Sequence, residues 1–268
     1  MSRPMNFSEQ HVFIAGGTSG INYGIAEGFA RAGAKLSVLS RSQEKVDAAV
    51  QGLQALGARA QGYAVDVRDA GAVDAALQSS ADRYGPIHVL ISGAAGNFTA
   101  TALDISPNGF KAVVDIDLMG TFHVVRAAFP FLKRPGASVI NISAPQAAQP
   151  MMMQAHVCAA KAGVNKLTEV LAMEWGPQGV RVNAISPGPI EGTEGMARLT
   201  PNEAARKMTI SSVPLKRFGD VSDIANAAMF LSSPQGGYIN GVVLPVDGGW
   251  ALAGASSLGE ELARLQGL

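Results

Sequence analysis

Short apolar runs alternate with longer segments in which apolar residues recur at helical spacing, from one end of the chain to the other. A run of four to eight aliphatic residues between turn signals fits a strand buried on both faces, and the longer segments fit helices that bury one face. The predicted strands cover residues 12–15, 35–39, 61–65, 87–92, 139–143, 180–185 and 242–246. The predicted helices run from the Gly-rich turn after the first strand to about Gly33, over 42–56, from a cap at Asp69 to Tyr84, from Ser106-Pro107 to about Phe131, and from about Met153 to Trp175. Asp or Ser before a helix accepts a hydrogen bond from a first-turn N–H, and Pro at the first position lacks an N–H that would go unpaired there. Regular strand–helix alternation predicts the α/β class, as a single doubly wound domain over residues 1–268 with a seven-stranded parallel sheet. Residues 186–218, between the last two strands, read as an insertion. Within it Thr200-Pro201-Asn202-Glu203 predicts a capping box and a short helix. At the carboxyl end of a parallel sheet such an insertion is expected to cover the ligand crevice as a lid.

Composition narrows the setting. An apolar fraction of 47% leaves ample material for a core, while charged residues are only 16% against the usual quarter or so, which suggests surface hidden in subunit contacts. Net charge is zero and no basic run occurs, so nothing points to nucleic acid or an anionic membrane. A single cysteine, Cys158, excludes an internal disulfide framework and fits a reducing compartment. Residues 1–10 lack the apolar core of a signal peptide, no run reaches the eighteen or so apolar residues of a membrane span, and Gln266-Gly267-Leu268 is not a Ser-Lys-Leu address. A cytoplasmic protein is expected, and no metal site.

The first candidate chemistry follows the first strand. In Ala15-Gly16-Gly17-Thr18-Ser19-Gly20-Ile21-Asn22, glycines let the backbone approach a pyrophosphate, and the helix that begins there offers N–H donors and positive potential. Gly16, Thr18, Ser19, Gly20 and Ile21 are therefore candidate dinucleotide contacts. The second strand ends at Ser40-Arg41-Ser42. An acidic residue there would take the ribose 2′-OH of NAD, whereas arginine suits a 2′-phosphate, so Arg41 with Ser42 favours NADP(H); the alternative is a solvated surface arginine.

Together with Ser92-Gly93-Ala94-Ala95-Gly96-Asn97-Phe98, Lys161, Ser186-Pro187-Gly188-Pro189-Ile190 with Thr193, and Asp247-Gly248-Gly249, this loop resembles the short-chain dehydrogenase/reductase family over about residues 10–250. The segment 92–98 matches that family's Asn-Asn-Ala-Gly region. The resemblance implies further cofactor contacts at Asp66, Val67, Ala94, Ala95, Lys161, Pro187, Gly188, Ile190 and Thr193. It also implies subunit pairing through the helices near Asp117 and Lys161, hence a homotetramer. Asn22 departs from the pattern, standing where the family has the third glycine of the loop, which normally allows close helix–strand packing.

The catalytic positions depart as a set. The family's Tyr-x-x-x-Lys is here Val157-Cys158-Ala159-Ala160-Lys161, the expected serine is Ala144, and the expected asparagine is Asp117. Valine cannot donate a proton to a developing alkoxide. With Ala94–Phe98, Asp115-Ile116-Asp117, His156, Glu174–Gln178 and Pro187–Gly195, the replacements resemble the 2,4-dienoyl-CoA reductases of that family, in particular the peroxisomal type, which also lacks the Tyr and Ser.

Reduction of a 2,4-dienoyl thioester puts charge on the thioester oxygen and finally a proton on carbon, so the site needs donors for an oxyanion rather than a phenol. The resemblance then implies roles for four residues. Lys161 would hold the nicotinamide ribose, and Asn97 would either donate its amide to the oxygen or shape a loop. Asp117 would orient Lys161 and a water or simply neutralise the lysine. Asp247 would hold the proton-giving water or be a turn residue. His156, one position from the missing tyrosine, points about 100° away on a helix and need not face the site. Phe98 and Met151–Met153 are candidates for an acyl wall, and Arg68 or the helix start at Ser106 for CoA phosphates; packing and surface roles are the alternatives. Two other readings stay open: a ketone reductase acting on a 3-oxoacyl thioester, and a non-catalytic dinucleotide-binding protein.

Overall fold

Seven strands lie side by side, every pairing parallel: β1 (His11–Ala15), β2 (Lys35–Ser40), β3 (Arg59–Ala64), β4 (Ile87–Ser92), β5 (Ser138–Ile142), β6 (Arg181–Pro187) and β7 (Val243–Val246). Their order across the sheet is β3-β2-β1-β4-β5-β6-β7. The structure is a computed structural model that describes residues 5–200 and 202–252, with the side chains of residues 198 and 199 left out; the terminal readings at residues 1–4 and 266–268 lie outside the described residues. From β3 the chain crosses back over β2 and β1 to begin β4. The carboxyl ends of β1 and β4 therefore diverge into a crevice at the point where strand order reverses.

The helices are α1 (Gly20–Arg31), α2 (Gln43–Ala55), α3 (Ala70–Tyr84), α4 (Pro107–Val114), α5 (Gly120–Ala128), α6 (Ala155–Trp175), α7 (Glu194–Leu199), α8 (Glu203–Ser212) and α9 (Val221–Ser232). Because strand side chains alternate between faces, the core divides in two. Val12 and Ile14 of β1 join Ile25 and Phe29 of α1, Leu53 of α2 and Ile224 and Leu231 of α9 on one face. Phe13 joins Leu77 of α3, Val124 of α5 and Trp175 of α6 on the other.

Three predictions need correction. The single helix expected from Ser106 to about Phe131 is interrupted by a π-helical turn, Asp115–Met119, between α4 and α5. Gly120 N–H reaches back to Asp115 O, and the Thr121 hydroxyl donates to Asp117 O at 2.7 Å. The extra residue is invisible in the sequence pattern because each flanking half keeps its own helical register.

The capping box expected at Thr200 is not what starts α8. Asn202 caps it, accepting from Ala205 N–H at 2.9 Å, while the Thr200 hydroxyl donates to Met196 O and closes α7. Finally, α9 was not predicted, although Asp220 and Asp223 form a complete capping box before it and Ile224, Ala225, Ala228 and Leu231 form its buried stripe.

A polar cluster lies at the opposite end of the sheet from the crevice. His11, fully buried, bonds Gly85 O through Nδ1 and the Ser37 and Ser80 hydroxyls through Nε2. Burial holds its pKa down at about 4 from an ordinary 6.5, against the Gly85 contact that favours the charged form. His88 is lowered too, again chiefly by burial. Above pH 6.5 both folded and unfolded His11 are neutral and stability is unaffected. As pH falls from 6.5 to about 4 the unfolded chain takes up a proton that the folded one refuses, which removes up to ~3 kcal/mol of stability. Denaturant unfolding should therefore show stability falling through this window, and His11→Gln should be less stable at neutral pH but flatter below it. Equal pH slopes for the two proteins would show that His11 is not the group responsible.

Candidate active site

The turn after β1 meets the loop after β4 at close range. Gly16 adopts φ +79°, and a Cβ there would lie 2.8 Å from Ala94 N, so a side chain is excluded on both counts. Above this contact a crevice of about 900 Å³ runs along the carboxyl ends of the strands. Among the residues that line it are Gly16, Thr18, Ser19, Gly20, Ile21, Arg41, Asp66, Val67, Ala94, Ala95 and Thr193, each a candidate cofactor contact from the sequence. The first turn of α1 opens into it with unpaired N–H groups, since its N-cap Ser19 makes no side-chain cap. Lys45, in the first turn of α2, also lines the crevice, and the sequence reading missed it. Ser42 does not line it but caps α2, accepting from Lys45 N–H. The crevice thus offers a tight glycine cradle, a helix N-terminus and two cations at the β2 end, which fits a nicotinamide dinucleotide.

A second cavity, about 560 Å³, continues from the first and shares Ile21, Asn22, Gly93, Ala95, Thr193, Glu194, Gly195 and Met196 with it. Its wall contains Asn97, Asp117, Ala144, Val157 and Lys161, with Pro187, Gly188 and Ile190 opposite. Lys161, on α6, donates to Ile142 O at 2.9 Å and lies 3.4 Å from Asp117 Oδ2. Asp117 Oδ1 accepts from Gly96 N–H at 2.7 Å. The π turn carries Asp117 to this point, a position at which such turns often serve function. Val157 and Ala144 present only carbon where a phenol and a hydroxyl are expected, and Ser143, one residue earlier, lines the cavity and donates to Asn165. Gln146, Met151, Thr209 and Trp250 complete the wall, and no motif in the sequence singled out Gln146 or Trp250.

Several candidates fall elsewhere. Asp247 Oδ1 accepts from Gly249 N–H at 2.9 Å and Oδ2 from Ala251 N–H at 2.8 Å, so of its two readings this arrangement supports the turn residue. It lines a neighbouring hollow beyond Pro189 and Ile190 rather than the Lys161 cavity. His156 is fully buried, edge-on to Phe98 with ring centroids 4.4 Å apart, and does not line the cavity.

Phe98 itself packs on His156, Ser106 caps α4 by accepting from Gly109 N–H, and Arg68 is held by Asp66 at 2.6 Å; none of the three lines the cavity. The Arg68 guanidinium in turn holds the Asp66 carboxyl below its ordinary range. Met151 reaches the cavity, whereas Met152 and Met153 are exposed outside it. Residues 193–196 and 209 of the predicted lid do line the two cavities. Among the described residues no cluster of His, Cys, Asp or Glu could hold a metal ion, and no helix is long and apolar enough to cross a membrane.

Comparison with known proteins agrees with this geometry. Residues 15–251 match the family model described as enoyl-(acyl carrier protein) reductase. The chain is 42% identical over 248 residues to a peroxisomal 2,4-dienoyl-CoA reductase [(3E)-enoyl-CoA-producing] of Rattus norvegicus, covering 92% of this chain and 85% of the relative. It is 40% identical over 265 residues to the protein of the same description from Arabidopsis thaliana, covering 95% and 89%. Among solved structures, a short chain dehydrogenase from Bacillus anthracis superposes with a TM-score of 0.81 at 36% identity, covering 90% of this chain and 96% of that one. Sheet order, glycine cradle and these matches together show that the chain belongs to the short-chain dehydrogenase/reductase family.

Proposed function

We propose that the protein is an NADPH-dependent reductase of 2,4-dienoyl-CoA, or of a closely related unsaturated acyl thioester, giving a 3-enoyl-CoA. The observation that carries this reading is the cavity wall. Val157 and Ala144 offer no proton, while the Lys161–Asp117 pair beside them is complete and buried. The similarity to relatives described as producing (3E)-enoyl-CoA supports the same substrate class.

Each residue then has a task. The Gly16–Ile21 loop and the first turn of α1 would hold the pyrophosphate, Arg41 and Lys45 the 2′-phosphate, and Lys161 a ribose hydroxyl. When bound, the cofactor supplies a hydride, which a 2,4-dienoyl thioester accepts at the far carbon of its conjugated system. Negative charge then gathers on the thioester oxygen, where the Asn97 carboxamide and the positive charge of Lys161 stabilise it. A proton from solvent water goes to the carbon beside the thioester, leaving hydroxide to the solvent, so atoms and charge balance without a phenol. Asp117 holds Lys161 in place and accepts from Gly96 N–H, which fixes the loop bearing Asn97. Met151 and Val157 give the cavity apolar surface for the acyl chain, and the segment carrying α7 and α8 acts as its lid.

We further propose a homotetramer, supported by the apolar side chains of Met119, Phe122, Val170 and Met173 left exposed on neighbouring helical segments. The single free thiol, Cys158, suits a reducing compartment such as the cytoplasm.

Purified protein should oxidise NADPH on addition of a 2,4-dienoyl-CoA and release a 3-enoyl-CoA. Lys161→Ala and Asp117→Ala should each lose roughly a hundredfold or more in kcat, against a few-fold at most for Val157→Ala. No turnover across a range of dienoyl chain lengths, with a saturated 3-oxoacyl thioester reduced instead, would overturn the assignment. Arg41→Ala should raise KM for NADPH by roughly tenfold or more and leave KM for NADH nearly unchanged. Equal effects on both would show that Arg41 does not read the 2′-phosphate.

A further inference from the structure

Asn22 stands in the first turn of α1, 8% exposed, and it borders both the dinucleotide crevice and the Lys161 cavity. Its Nδ2 donates to Gly93 O at 2.8 Å. A Cβ added at Gly93 would lie 2.4 Å from both Nδ2 and Oδ1 of Asn22, so the carboxamide fills the space that a side chain at residue 93 would need. The family pattern has a glycine at position 22; here an amide stands there, and the missing side chain is at residue 93, on the facing chain segment. Asn22 Oδ1 is buried without a hydrogen-bond partner, a cost that an apolar or absent side chain would avoid.

We propose that Asn22 is a positioning residue, whose carboxamide fixes the loop after β4 and, through it, the catalytic pair. The connection can be followed bond by bond. Gly93 is tied to β1 by its own N–H, donated to Ala15 O at 3.1 Å, and to α1 by Asn22 through its carbonyl. Three residues later Gly96 N–H donates to Asp117 Oδ1, and the next residue is Asn97, in the cavity wall. Asp117 in turn faces Lys161. The start of the loop is thus held at Gly93 from two sides, and its far end delivers one donor to Asp117 and another to the cavity. Without the Asn22 contact one of the two clamps on Gly93 is lost, together with the filling of the gap that its missing side chain leaves.

The test compares Asn22→Ala, Asn22→Asp, Gly93→Asn and the double exchange Asn22→Gly/Gly93→Asn. Two readouts are used: steady-state kinetics, which rest on the reductase reading, and hydrogen exchange of the Gly96 amide by NMR, which does not. Asn22→Ala should lose about tenfold in kcat, a larger factor than its change in KM for NADPH, and should exchange Gly96 about tenfold faster while amides within β4 stay protected. Asn22→Asp keeps the shape but sets a carboxylate against the Gly93 carbonyl. Burial raises the pKa of such an acid, so the variant should be more impaired at high pH than at low pH relative to the parent, as a protonated acid can donate in place of the amide.

Gly93→Asn alone should be severely impaired by collision, and the double exchange should return to within a few-fold of the parent. Parent-like kcat and Gly96 exchange in Asn22→Ala, or a double exchange no better than Gly93→Asn, would overturn the proposal. If the parent reduces no dienoyl thioester, the reductase reading fails and the exchange rates alone decide the role of Asn22.

Discussion

Lys161 and Asp117 are 5% and 1% exposed and carry opposite charges 3.4 Å apart. Removing each from water costs several kcal/mol, and their mutual attraction, about 5 kcal/mol at an effective dielectric near 20, offsets this only if the remaining donors and acceptors are also engaged. Most are: Lys161 donates to Ile142 O at the end of β5, Asp117 accepts from Gly96 N–H in the loop after β4, and of the three ammonium N–H groups one is left to face the cavity. The pair therefore binds the carboxyl ends of two neighbouring strands, a π turn and α6 into one piece. Losing either partner would strand a buried charge, which makes the local geometry around the cavity depend on both.

The topology explains why these groups can meet. In a parallel sheet all strand ends face the same way, and the reversal of order at β1 and β4 opens the crevice beside the loops that carry Gly16 and Gly96. Arg41 at the end of β2 and Thr193 after β6 extend the same rim in both directions. Residues far apart in sequence thus line two connected cavities, with the segment between β6 and α9 bordering both. The chemistry needs little from the wall beyond this: an oxygen to stabilise, a dry surface, and a proton that ends on carbon.

The sheet was readable because strands buried on both faces are rich in apolar residues without strict alternation, as at 12–15 and 89–91. The glycine cradle and Arg41 were readable because their backbone or charge requirements are local. What could not be read depends on contacts between distant segments. The π turn at Asp115 leaves both flanking helical registers intact, and the amide of Asn22 is explained only by the missing side chain at Gly93 seventy-one residues away. Asp247 has the right sequence position for chemistry, yet its carboxylate is occupied by Gly249 and Ala251 N–H, a local bond that competes with any catalytic use. His156 shows the converse: an ionisable residue beside a catalytic position, turned instead into the packing of Phe98.

A cavity that keeps its lysine and a buried carboxylate but replaces phenol and hydroxyl with Val157 and Ala144 is suited to charge on oxygen and protonation on carbon. The fate of the solvent proton is therefore the most direct measure of this account. Reduction of a 2,4-dienoyl-CoA with NADPH in D₂O, followed by NMR of the product, should place deuterium on the carbon beside the thioester of a 3-enoyl chain. A dienoyl thioester left unconsumed, while a 3-oxoacyl thioester is reduced to a 3-hydroxy product with solvent hydrogen only on the new hydroxyl, would contradict it.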